Sequence, residues 1–181
     1  MITQRAAQTL LAIARDAICN QLDHQSYSPS PREEQCLNER LGCFVTLKID
    51  DQLRGCIGNF QSRLPLYQEV ALMAVAAATE DPRFPPMTKN ELDQAGIEIT
   101  ILSPLEKING PEDITIGQHG IYLEHGYHRG VLLPQVASEH QWDTLTFLRQ
   151  TCNKAGLSAD MWQSAQTELY RFSGQIIAEE K

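Results

Sequence analysis

Cys43-Phe44-Val45-Thr46-Leu47-Lys48-Ile49 and Leu53-Arg54-Gly55-Cys56-Ile57-Gly58, joined by Asp50-Asp51-Gln52, decide the fold. In the first run Cys43, Val45, Leu47 and Ile49 alternate with Phe44, Thr46 and Lys48, the period of a half-buried strand. Asp50-Asp51-Gln52 is a turn, and the second run can return beside the first as an antiparallel hairpin. On the returning strand Leu53, Gly55 and Ile57 share one face, while Arg54, Cys56 and Gly58 share the other. Leu53 and Ile57 are expected to anchor it to the core. Arg54 and Cys56 then point together, with the glycines leaving room beside the sulfur.

Residues 3–22, before the hairpin, carry apolar side chains at a 3.6-residue period and predict a helix with Thr3 as N-cap. A polar connection rich in Ser and Pro runs from Asp23 to Pro31. Beyond the hairpin, Pro65 is expected at the first helical position of a second helix, apolar all round from Val70 and therefore buried. Asp81-Pro82-Arg83-Phe84-Pro85-Pro86 stops it, because prolines cannot continue a helix. Thr88 and Glu91 have capping-box spacing for a short helix ending at Gly96. Ile97, Ile99 and Ile101 alternate as a strand, and Gly110-Pro111 is a turn. Gly120 to Glu124 and Arg129 to Leu133 predict a hairpin about Gly126. Trp142 to Ala155 predicts a helix stopped by Gly156, and Thr167 to Phe172 a last strand. Hairpins outnumber crossover units, so the expected class is α+β, mainly antiparallel strands with helices, in a single domain over 1–181.

The net charge of −8 and the absence of any Lys/Arg run argue against nucleic acid, whose binders neutralise phosphates with a basic stripe. The longest apolar run, Val70 to Ala78, is about half of the roughly 20 residues that span a bilayer, so no membrane role is expected. Met1 leads into an amphipathic stretch without a leader pattern, and a cytoplasmic protein is expected. Five cysteines, at 19, 36, 43, 56 and 152, form no C-x-x-C pair, which suits reduced thiols better than disulfides or structural zinc. No nucleotide, metalloprotease or serine-hydrolase motif occurs, and no cofactor is expected.

Cys56 is the candidate catalytic residue, since a nearby guanidinium favours the thiolate that nucleophilic or redox chemistry requires. The alternative is a small packing residue, the commoner fate of cysteine. Cys19, Cys43 and Cys152 are read as core residues, and Cys36 as unremarkable. A thiol nucleophile needs a base, and His119, His125, His128 and His140 are the candidates. His119 lies in the most permissive backbone. His125 and His128 flank the hairpin tip at Gly126, but spacing places no third ligand, so no metal site is assigned. Arg83 either anchors a carboxylate or phosphate at the rim of a cleft or pairs with Asp81 or Glu80. Gln135 offers both donor and acceptor, and Trp142 is expected to pack.

Taken in order, these pieces resemble the AMMECR-one domain family, also called AmmeMemoRadiSam system protein A. The resemblance runs through Gly42 to Leu47, Leu53 to Gly58, Asp81 to Pro86, and Ile97-Glu98-Ile99 with Leu102-Ser103-Pro104-Leu105. It continues through Gly117-Gln118-His119-Gly120, Gly130 to Val136, and Lys154-Ala155-Gly156-Leu157. It implies two interlocked lobes around a cleft, with lobes of about 1–50 with 97–181 and about 51–96. It also implies association with Memo-type and radical-SAM proteins. Two functions follow as expectations. One is a binding module whose site, drawn from Arg54, Gly55, Gly58, Arg83, His119 and Gln135, holds a small anionic or aromatic ligand or a partner segment. The alternative is a small enzyme using Cys56 as nucleophile or redox thiol with Arg54 and Arg83.

Overall fold

The structure, a computed structural model, describes residues 2–179. Two compact units divide the chain: residues up to Leu102 together with those from Gln175 onward, and Ser103–Gly174. The second unit is thus an insertion in the first. Its two ends are pinned together, because Ser103 N–H donates to Ser173 O at 2.8 Å and Ser173 N–H donates to Ser103 Oγ at 2.9 Å. This division differs from the expected lobes. The segment 51–96 cannot separate from 1–50, since the strand at 52–59 pairs along its length with that at 43–49.

The first unit contains α1 (Gln4–Leu22), β1 (Cys43–Ile49), β2 (Gln52–Asn59), α2 (Leu66–Thr79), α3 (Lys89–Gln94) and β3 (Gly96–Leu102). Thr3 caps α1 by accepting from Ala6 N–H, as its sequence predicts. Beyond the second unit, which holds β4 (Glu106–Ile108), β5 (Gly120–His125), β6 (His128–Leu132) and β7 (Thr167–Phe172), the chain returns as β8 (Gly174–Ala178). The sheet order is β2-β1-β3-β8, and β1 pairs antiparallel with both β2 and β3. Val45, Leu47, Ile97 and Ile99 project from one face into a core with Leu10, Ile13 and Ile18 of α1 and Val70, Ala74 and Ala77 of α2.

Three local expectations are corrected. Pro65 is the N-cap of α2 rather than its first helical residue. On α2 Leu72 is exposed, so the helix is not buried all round, and Glu69 is buried instead. Cys19 is exposed, because it falls one step past the core stripe that ends at Ala17 and Ile18.

A larger correction concerns β2. Leu47 stands opposite Gly55 but Lys48 stands opposite Leu53, so Arg54 is the extra residue of a β-bulge. Opposed residues share a face. The bulge therefore turns Leu53 onto the side of Lys48, Thr46 and Cys56, where it is 40% exposed instead of anchoring the core. The turn before it uses Asp50 and Asp51 at positive φ (48° and 61°), as a two-residue hairpin loop demands.

The second unit contains β4 (Glu106–Ile108), β5 (Gly120–His125), β6 (His128–Leu132), α4 (Pro134–Glu139), α5 (Thr144–Lys154) and β7 (Thr167–Phe172). Its sheet runs β4-β7-β5-β6 with antiparallel pairing throughout. Ile121, Leu123 and Leu169 form its core with Phe147, Leu148 and Cys152 of α5. The hairpin about Gly126 is as the sequence predicts. The α4 helix is not among the expected elements: Pro134 sits in its first turn, where the missing N–H costs nothing. Trp142 packs on this core and stacks on His140, ring centroids 4.7 Å apart. No helix among the described residues is long and apolar enough to cross a membrane.

Candidate functional site

As an edge strand, β2 leaves alternate N–H and C=O groups without a neighbouring strand, a liability that proteins cover. At Cys56 the cover is a pair of side chains from the loop after α2. Asp81 Oδ2 accepts from Cys56 N–H at 2.8 Å, and Arg83 Nη2 donates to Cys56 O at 3.3 Å. Asp81 also accepts from Arg83 N–H (3.1 Å), Nε (2.9 Å) and Nη2 (2.7 Å), so one carboxylate takes four hydrogen bonds. Its side chain is 2% exposed. The Arg83 guanidinium holds the carboxyl well below the usual range, aided by the two backbone N–H groups and opposed by burial. Of the two sequence-level readings of Arg83, the ion pair with Asp81 is therefore present. Even so the Arg83 side chain stays 54% exposed, and its Nη1 has no hydrogen-bond partner among the described residues.

Arg54 is also paired, but nearly buried at 11% exposure. Its Nε and Nη2 donate to Glu91 at 2.8 and 3.2 Å, and Nη2 donates to Pro85 O at 3.0 Å. Its Nη1 is buried without a partner. Glu91 simultaneously completes the α3 capping box with Thr88. Arg54 and the Thr88 donors pull the Glu91 carboxyl down to about 2. Phe84 lies within cation–π reach of both arginines, 5.8 Å from Arg54 and 5.6 Å from Arg83.

The Cys56 thiol is partly exposed, and Thr46, opposite it on β1, donates its hydroxyl to Sγ at 3.3 Å. No imidazole or carboxylate among the described residues hydrogen-bonds to the sulfur. Neither arginine stands beside it as an unpaired cation. The glycines serve packing. A Cβ on Gly55 would lie 2.1 Å from Ala77 O of α2, and one on Gly58 would lie 2.4 Å from the Phe44 ring.

His119 and Gln135 belong to the second unit. Thr115 N–H donates to His119 Nδ1 at 3.0 Å, so the neutral ring carries its proton on Nε2 and acts there as a donor rather than a base. Burial first, then the Arg171 charge, pushes the His119 pKa down. Gln135 is exposed on the first turn of α4. No group of three or more His, Cys, Asp or Glu side chains among the described residues is placed to hold a metal ion.

With this geometry in place, comparison with known proteins is direct. The AMMECR1 family model matches residues 11–177. The chain belongs to the AMMECR1 family. Protein NEQ441 of Nanoarchaeum equitans is 43% identical over 94% of this chain and 99% of its own length. Protein MJ0810 of Methanocaldococcus jannaschii is 45% identical over 80% of this chain and 76% of its own. The crystal structure of the uncharacterised protein PH0010 from Pyrococcus horikoshii superposes with a TM-score of 0.85 at 37% identity, covering 99% of this chain and 94% of that one. In this AMMECR1 chain, the sequence singles out Cys56, Arg54 and Arg83 as candidates but not the contacts that Thr46 and Glu91 make with them. Thr46 was within reach, since the hairpin register sets it against Cys56. Glu91 was read only as a cap, because nothing local reports an arginine 37 residues away.

Proposed function

We propose that this chain is a binding module working with Memo-type and radical-SAM proteins, and that its β2 edge takes a small anionic or aromatic ligand or a partner segment. One observation carries the reading. Every charged group around Cys56 is tied into a fixed frame, yet Arg83 Nη1 is left uncommitted on a half-exposed side chain beside Phe84. A guanidinium whose other edge is held by Asp81 is pre-organised for a carboxylate or phosphate. That no base among the described residues hydrogen-bonds to Sγ supports binding over turnover. The Thr46 hydroxyl at 3.3 Å from Sγ favours the second reading, a nucleophilic or redox Cys56.

Thermal unfolding of the purified protein against a panel of small carboxylates, phosphates and aromatic acids tests this. A ligand at a hundredfold its Kd stabilises by about 2.7 kcal/mol. The shift should vanish in Arg83→Gln and persist in Cys56→Ser. A binding reading is lost if no such ligand shifts the wild type and no Memo-type protein binds it. Fast alkylation of Cys56, together with a folded but inactive Cys56→Ser in cells, would replace it by the enzyme reading.

A further inference from the structure

The hairpin tip of the second unit holds a pair of imidazoles that the reading above does not use. Gly126 and Tyr127 make the turn, with Gly126 at positive φ (57°). The residues closing it are His125 and His128, directly opposite one another on β5 and β6. Directly opposed residues project to the same face with Cβ atoms about 5 Å apart. Thr167 of β7 stands opposite His125 on the other side, so the three form a row across the sheet.

Both rings are oriented through Nδ1. His128 Nδ1 lies 3.0 Å from the carbonyl oxygen of Ala155, the C-cap of α5. A carbonyl only accepts, so this Nδ1 bears the hydrogen. His125 Nδ1 lies 2.9 Å from Thr167 Oγ1, and that hydroxyl gives its own hydrogen to Met161 O at 2.7 Å. Thr167 Oγ1 can therefore only accept, and His125 Nδ1 bears a hydrogen too. In the neutral rings both Nε2 atoms are left with a lone pair, and neither has a hydrogen-bond partner among the described residues. An imidazole whose Nδ1–H is held by an oxygen while Nε2 stays free is how proteins orient a metal ligand. His128 is exposed and His125 partly so, which leaves the pair open to solvent. The C-terminal end of α5, reached through Ala155, adds a partial negative charge that favours a cation.

We infer that His125 and His128 form a two-imidazole site for a late first-row divalent cation. Imidazole suits Ni²⁺, Cu²⁺ and Zn²⁺. The other coordination positions are filled by water or by a donor from another molecule. The site belongs to the second unit alone and stands or falls independently of the proposed function.

Ni²⁺ is the probe, since it does not oxidise the chain's free thiols as Cu²⁺ would. The full, untagged, folded chain with its accessible thiols alkylated is titrated with Ni²⁺ and passed over immobilised Ni²⁺. His125→Asn and His128→Asn should each weaken Ni²⁺ binding about tenfold or more, and the double variant should lose little further, because the second ligand acts at high effective concentration. Thr167→Val keeps both imidazoles but frees the His125 ring, and should also cost about tenfold. His24→Asn and His140→Asn should bind as the wild type does. Long-range proton–nitrogen spectra of the metal-free protein should show both rings protonated at Nδ1. Undiminished Ni²⁺ affinity in either single-histidine variant or in Thr167→Val, or a ring protonated at Nε2, overturns the site.

Discussion

Asp81 and Glu91 each tie their own segment to β2 through a single carboxylate, Asp81 at Cys56 and Glu91 at Arg54, and acid should expose what they contribute. Both have folded pKa values depressed below the unfolded ones, Glu91 from 4.5 to about 2. A depressed acid contributes stability that is fully present above its unfolded pKa and is lost as pH falls through the folded one. The window for Glu91 is therefore about pH 4.5 down to 2, and Asp81 acts in the same direction. Urea denaturation of the wild type should show a midpoint that falls steadily as pH drops through this range. Glu91→Gln should be less stable at pH 6 by about 2 kcal/mol, because it weakens a charged hydrogen-bond pair around the nearly buried Arg54. Its midpoint should then change less between pH 4.5 and 2.5. A variant with the wild-type pH slope would show that Glu91 is not depressed by Arg54.

Elements in the first unit meet at a distance that only small residues permit. Gly55 allows β2 to lie directly on α2, where a Cβ would come within 2.1 Å of the Ala77 carbonyl oxygen. Backbone cannot rotate away as a side chain can, so α2 would have to shift. Gly55→Ala should destabilise by about 3 kcal/mol, at the upper end of overpacking costs. Gly96 starts β3 with its nearest neighbour atom, Lys48 O, at 4.0 Å from a built Cβ. Gly96→Ala should stay within about 0.5 kcal/mol of the wild type. Equal losses in the two variants, read from urea midpoints at constant m-value, would count against the packing account. Gly55 is legible in the sequence as a place of close approach by a ligand or another backbone, and the sequence leaves the choice between them open. The α2 backbone fills that space, a fact set by how a helix 22 residues further on packs.

At the scale of the whole molecule, two cores are built from nested stretches of the chain, the second from a continuous segment inserted between β3 and β8. Phe147 is fully buried in the second core. Phe147→Ala should cost about 3–5 kcal/mol. Because it leaves the first core untouched, hydrogen-exchange protection should fall more over residues 103–174 than over β1, β2 and α2. A uniform loss of protection across both units would instead mean that the chain opens as one cooperative body.

Several features followed from the sequence alone. The β1–β2 hairpin, the Thr3 cap, the Thr88–Glu91 capping box and the β5–β6 turn at Gly126 all rest on contacts within a few residues, so local pattern suffices to determine them. Cys56, Arg54 and Arg83 were likewise legible as residues of a common segment pair. The tertiary structure decided the rest. It placed the bulge at Arg54 that turned Leu53 outward, for strand register depends on what each face packs against. It brought Asp81 to the Cys56 N–H across 25 residues and Glu91 to Arg54 across 37, pairings no local period encodes. It also divided the chain at Leu102 and Gln175, because strands far apart in sequence share a sheet while consecutive segments do not share a core.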